Sequence, residues 1–101
     1  MTKLLGMLGL AKKAGRLAVG TENAIAAVRG GKAKLVIAAS DISDATRKRI
    51  SDKTGTYGVE TVYISETTVS LGNALGKTAT ACAAITDNGF ADAVRNILGG
   101  N

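Results

Sequence analysis

The residues best suited to chemistry in this chain lie together at Gly20-Thr21-Glu22-Asn23. Glu22 offers a carboxylate that only accepts hydrogen bonds once ionised, and Asn23 offers an amide that both donates and accepts. Leu17-Ala18-Val19 precede them and read as a brief strand, while Ala24, Ile25 and Val28 recur at helical spacing after them. Gly20 lets the chain bend sharply between the two, and Thr21 is a favoured N-cap. Such a corner presents unpaired backbone N–H groups and the positive end of a helix dipole. That set suits hydrogen-bonded recognition of a polar ligand. The plainer alternative is a capped helix start with a solvated acid in its first turn.

Bond-making chemistry has little to work with. The chain contains no His, which removes zinc sites and His-based acid–base catalysis in their usual forms. Cys82 is the single cysteine and sits in an apolar run, so it reads as a small core residue in a reduced, cytoplasmic type of protein. The serines and threonines have no base partner, and the acids are scattered singly. Gly72-Asn73-Ala74-Leu75-Gly76-Lys77-Thr78 looks like a phosphate-binding loop, but three residues rather than four separate its glycines. Thr78 also leads into a strand-like pattern instead of opening a helix, and Gly76 is better explained as a helix terminator. The prediction is a non-enzyme with no metal and no cofactor.

Charge points elsewhere. Net charge is +5, yet residues 1–53 hold eleven basic and four acidic residues, whereas residues 54–101 hold two basic and four acidic. One half is therefore +7 and the other −2, a distribution that favours a nucleic-acid partner mildly. Arg47-Lys48-Arg49 fan around their helix rather than forming a row, so a solvated face explains them better than phosphate contact does. Tyr57, Tyr63 and Phe90 are the only aromatics, too few for a base-stacking platform.

The elements that must position the corner alternate along the chain. Leu4, Leu5, Leu8 and Ala11 share one face of a helix over about 3–14 that Gly15 closes, and Lys12-Lys13 stand where a signal peptide would need a cleavage site. A strand at 17–19 and a helix over about 21–30 follow, ended by Gly30-Gly31. Leu35-Val36-Ile37-Ala38-Ala39 reads as a buried central strand. Ser43 caps a third helix over about 44–54, Val59 to Ile64 form a strand, and a short helix runs through Val69, Leu71 and Ala74. Thr78 to Ile85 read as a third main strand. Asp87 or Asn88 caps a last helix with Phe90, Val94, Ile97 and Leu98 inward, which Gly99-Gly100 ends. Alternation of this kind predicts a three-layer α/β/α sandwich with a small mixed sheet of about four strands. Residues 1–101 are expected to form a single domain and a monomer. No apolar run approaches the ~20 residues that a membrane-spanning helix needs.

In this order the segments resemble the ribosomal protein L7Ae family of kink-turn RNA-binding proteins, and most of all its small bacterial, YlxQ-like branch. The resemblance covers essentially the whole chain, from Leu5-Gly6-Met7-Leu8-Gly9-Leu10-Ala11 to Asn96. It rests chiefly on Ala33-Lys34-Leu35-Val36, Ser40-Asp41, Leu71-Gly72-Asn73-Ala74-Leu75-Gly76-Lys77 and Ile85-Thr86-Asp87-Asn88-Gly89-Phe90-Ala91. It implies RNA as partner, ribosomal or otherwise structured, often a bent duplex with tandem sheared G·A pairs; ribosome association stays open. In the family the start of the second helix, Gly-x-Asn-Glu with Lys three positions after the Glu, reads guanine edges. The matching positions here are Gly20, Thr21, Glu22, Asn23 and Ala26, with the acid and amide in reversed order and no Lys. The resemblance also implies contacts from the strand end Ser40-Asp41-Ile42 and from the loop Ser65-Glu66-Thr67-Thr68-Val69, where the family often encloses an extruded nucleotide. Arg29 and Lys32 are expected on phosphates. The alternative on the same fold is a protein-interaction adaptor that has lost kink-turn specificity.

Overall fold

The computed structural model describes residues 2–99. Its order is α1 (Thr2–Lys13), β1 (Leu17–Val19), α2 (Thr21–Arg29), β2 (Leu35–Ala38), α3 (Asp44–Tyr57), β3 (Thr61–Tyr63), α4 (Thr68–Ala74), β4 (Cys82–Ile85) and α5 (Asn88–Leu98). The strands make one mixed sheet in the order β1-β4-β2-β3. β4 runs antiparallel to both β1 and β2, and β3 runs parallel to β2. The predicted α/β sandwich with four strands is the observed one.

Period-two alternation divides the core between the two faces of the sheet. Leu35, Ile37, Ala83 and Ile85 face α1, α4 and α5, packing on Leu4, Leu8, Leu71, Leu75, Ala91 and Val94. Val36, Ala38, Cys82 and Ala84 face the other way, onto Ala24, Ala27 and Val28 of α2 and Ile50 of α3. Both inner strands are buried along their whole length, which is why their sequences read as continuous apolar runs. The second layer is rich in alanine, so α2 sits close to the sheet and its N-terminus is held near the strand ends.

Local details adjust the sequence-based expectations. Ser43 caps α3 through Thr46 N–H, and Asp87 caps α5 through Phe90 N–H. The third helix continues past its expected end to Tyr57 and stops at Gly58, whose φ of 68° supplies the left-handed turn. Its Gly55 does not break it; the neighbouring Thr54 is buried, with its hydroxyl donating to the Ile50 carbonyl. The strand expected over 59–64 is Thr61–Tyr63, and the strand expected over 78–85 is only Cys82–Ile85. The alternation at Thr78-Ala79-Thr80-Ala81 is real, but the backbone there serves α4: Thr80 N–H donates to the Thr68 carbonyl at 2.9 Å. Gly99 is the C-cap of α5, and Gly100 lies outside the described residues.

Topology then decides the site. β1 and β2 are both antiparallel to β4, so the C-terminal ends of β1, β2 and β3 and the N-terminal end of β4 meet at one end of the sheet. The corner at Gly20, the segment Ser40–Ile42 and the loop 65–69 all leave the sheet there.

Candidate nucleic-acid interface

Gly20 is the N-cap of α2, with φ 95° and ψ 158° and no side-chain capping bond. Thr21 was the expected cap; a β-carbon would be strained in that backbone region, so glycine takes the position and Thr21 becomes the first helical residue. The corner is pinned to the start of β4 twice. Gly20 N–H donates to the Cys82 carbonyl at 2.9 Å, and the Cys82 thiol lies 3.9 Å from the Thr21 hydroxyl. The first intrahelical bond is Ala24 N–H to the Gly20 carbonyl. With no capping side chain, the N–H groups of the first turn stay open to a ligand.

Burial pushes the Cys82 thiol above its ordinary pKa, with the Thr21 hydroxyl opposing it. The side chain is completely enclosed, so the reactive thiolate is suppressed in the folded state. A disulfide reagent such as Ellman's at pH 8 should therefore label the native chain far more slowly than the same chain in guanidinium. Equal rates in the two conditions would show that the base of the corner is open.

The two corner side chains have separate partners. Asn23 Nδ2 donates to the Val19 carbonyl at 2.9 Å, folding the amide back over the end of β1. Glu22 reaches across to α3, where both of its oxygens accept from Arg49 at 2.5 and 2.9 Å. The pair is bidentate but exposed, so it orients the carboxylate more than it stabilises the fold. Arg49 holds the Glu22 carboxyl below the usual carboxylate range, and it stays ionised. The basic triplet on α3 fans out to three partners: Arg47 stacks on the Tyr63 ring at 4.1 Å, Lys48 pairs with Asp52 at 3.6 Å, and Arg49 takes Glu22.

Ser40–Ile42 and the loop 65–69 form one latched unit. Asp41 Oδ1 accepts from Thr68 N–H at 2.7 Å and Oδ2 from the Thr68 hydroxyl at 3.3 Å. Thr67 caps α4 by accepting from Ser70 N–H at 3.1 Å. Glu66 accepts from the Ser70 hydroxyl at 2.7 Å, and its carbonyl accepts from Ser40 N–H at 2.9 Å. Both oxygens of Asp41 and one of Glu66 are thus taken up by Thr68 and Ser70 in the first turn of α4. Ile42 is half-buried between the two core layers, while Ser40, Ser65, Thr67 and Val69 stay exposed.

The structure therefore brings together Gly20, Thr21, Glu22, Asn23, Ser40, Asp41, Ile42, Ser65, Glu66, Thr67 and Val69 at one end of the sheet. It does not bring Arg29 and Lys32 there. They sit at or beyond the far end of α2, whose nine residues span roughly 13 Å. Lys32 instead borders a broad concavity of about 1000 Å³ beside β1, shared with Lys12, Arg16, Lys34 and Lys77 and reached by Asn23 and Ala26. Sequence inspection missed this basin and the Glu22–Arg49 pair. No local signal marks either, because each joins segments far apart in the chain.

The model of the ribosomal protein L7Ae/L30e/S12e/Gadd45 family matches residues 2–95. Two curated relatives, the RNA-binding protein YlxQ of Bacillus subtilis and that of Enterococcus faecium, are each 36% identical to it. The first match covers 91% of this chain and 91% of the relative, the second 97% and 93%. Among solved structures, a protein of unknown function from Bacillus halodurans superposes with a TM-score of 0.88 at 32% identity, covering 98% of this chain and 99% of the other. A 15.5kD RNA binding protein from Giardia lamblia superposes with a TM-score of 0.77 at 26% identity, covering 98% and 84%.

Proposed function

The chain belongs to the ribosomal protein L7Ae/L30e/S12e/Gadd45 family, and from that premise we propose that it is a non-catalytic RNA-binding protein that reads structured RNA at the α2 corner. The observation that carries this reading is the uncapped start of α2, flanked by the oriented Glu22 carboxylate and the Asn23 amide. The relatives named as RNA-binding proteins support it. In this reading the open N–H groups donate to base or phosphate acceptors, Asn23 Oδ1 accepts from base N–H groups, and Glu22 accepts from guanine N–H groups while Arg49 keeps it ionised and aimed. Exposed Val69 and the 65–69 loop flank an unstacked nucleotide. Arg29 and Lys32 meet phosphates farther along α2. The whole chain acts as one RNA-binding unit, a cytoplasmic monomer whose target is a kink-turn or a similarly bent RNA.

The test is a titration against a kink-turn RNA and a straight duplex of equal length at two salt concentrations. The kinked RNA should bind more tightly, and Glu22→Ala and Asn23→Ala should each reduce that preference roughly ten-fold, by analogy with base-edge contacts in DNA. Equal and strongly salt-dependent binding to both RNAs would leave only charge attraction. Exposed Ala26, where the family's lysine would stand, favours a second reading as a protein-interaction adaptor; no binding to either RNA would favour it.

A further inference from the structure

We propose that the basin beside β1 is a second RNA-contacting site, one that holds the phosphodiester backbone of the helical stem flanking whatever the corner reads. The inference rests on the RNA-binding reading above and extends it from Lys32, already placed on phosphates there, to four further cations that reading does not include. Lys12, Arg16, Lys32, Lys34 and Lys77 line the concavity, and no carboxylate is among its lining residues. None of the five forms an ion pair with a described carboxylate; the ion pairs found use Lys48, Arg49 and Arg95 instead. Each is exposed. The five come from the end of α1, the approach to β1, the approach to β2 and the turn after α4, so only the fold assembles them. Five unpaired cations in one hollow repel one another, and a polyanion relieves that repulsion while releasing its own counterions.

The backbone supplies further donors. β1 is an edge strand whose single partner is β4. Gly20 N–H donates to the Cys82 carbonyl, and Thr86 N–H donates to the Arg16 carbonyl. In an antiparallel ladder this phase turns positions 16, 18 and 20 toward β4 and leaves the N–H groups of Leu17 and Val19 pointing outward. They face the basin, whose lining includes both residues. Lysines beside an edge strand also discourage pairing with another chain, and that is the plainer role. It needs one or two charges on the strand, whereas here five cations from four separate segments line one hollow. The hollow also continues along α2 through Ala26 to Asn23, so one RNA bound at the corner reaches it without a gap. Lys12 has a structural duty as well, donating from Nζ to the Leu75 carbonyl, and it is left out of the test.

The experiment uses the full chain carrying Arg16→Gln, Lys32→Gln, Lys34→Gln and Lys77→Gln together. Its probe is a kink-turn RNA with long flanking stems, compared with the same RNA trimmed to its shortest stems, over a salt series. The four changes should lower the slope of log affinity against log salt by about 2.8–3.6 and weaken long-stem binding at least ten-fold. The preference for kinked over straight RNA should survive, since the corner is untouched. An unchanged slope with normal wild-type binding would overturn the basin alone, and would leave its edge strand as a site for a peptide strand or merely a guarded edge. Failure of the wild type to bind any of the RNAs would overturn both readings. Should the fourfold variant melt early, Lys34→Gln and Lys77→Gln taken singly replace it, each expected to lower the slope by about 0.7–0.9.

Discussion

Gly72→Ala should lower the melting temperature by roughly 10–20 °C, although alanine is the better helix former. Gly72 lies inside α4 and is buried, and a β-carbon built on it would sit 2.5 Å from Ala79 Cα and 2.8 Å from Ala79 N and C. All three are backbone atoms. They cannot retreat cheaply, because Thr80 N–H is bonded to the Thr68 carbonyl and Ala39 N–H to the Ala81 carbonyl, tying that segment to both α4 and the sheet. Alanine would gain about 1 kcal/mol of helix propensity. Against this stands overpacking at the top of its usual range, about 3 kcal/mol or more, so the net loss is about 2–3 kcal/mol. For a chain of 101 residues that corresponds to the stated shift in melting temperature. Gly6→Ala is the control: it lies in α1, and nothing stands within 4 Å of its β-carbon. That variant should gain about 0.5–1 kcal/mol. Equal behaviour of the two variants in thermal melts would show that α4 does not lean on residue 79. The close approach matters for the site, because α4 carries Val69 and anchors the 65–69 loop through the Thr68–Asp41 bonds.

Much of the architecture was legible because each element carries its own signal. Leu35 to Ala39 is an unbroken apolar run, which only a fully buried strand or core helix requires, and its length selects the strand. Ser43 and Asp87 stand one residue before periodic segments, and both make the predicted capping bonds. Errors arose where tertiary contacts override a local pattern. Thr78 to Ala81 alternate like a strand, yet this backbone pairs with α4 and leaves room for Gly72. Thr21 has the side chain of an N-cap, but the turn demands a backbone region open only to Gly20. The corner was legible as a whole because strand, turn and helix are adjacent in sequence. The ion pair from Glu22 to Arg49 spans 27 positions, and the basin draws on residues from Lys12 to Thr86. Both depend on β4 lying between β1 and β2, and no sequence pattern in the chain states that order.

Gly20→Ala should destabilise the chain by about 1–3 kcal/mol without any clash and should also blunt RNA recognition. No atom stands within 4 Å of the β-carbon it would introduce, so packing predicts a neutral change. The cost is conformational: φ 95° with ψ 158° is a backbone region open essentially to glycine alone, and other residues pay about 1–3 kcal/mol there. The chain cannot relax by rotating, since Gly20 N–H is bonded to Cys82 and its carbonyl receives Ala24 N–H. Gly31, with φ 72° at the end of α2, is the informative comparison. A left-handed position of that kind accepts Asn better than Ala, because Asn visits the region routinely. At Gly20, Asn should be no better than Ala, because its tolerance does not extend to extended backbone with positive φ. Thermal melts of the four variants decide this: rescue by Asn at position 20 as well as at 31 would mean that the corner is an ordinary left-handed turn. The functional consequence follows from what the strain displaces. If the alanine variant relieves it by breaking the backbone bond from position 20 to Cys82, the first turn of α2 shifts, and Glu22 and Asn23 move together. The kink-turn preference should then fall further in Gly20→Ala than in either single side-chain variant, even below the melting range. A variant that melts early yet keeps the full preference would place recognition outside the corner.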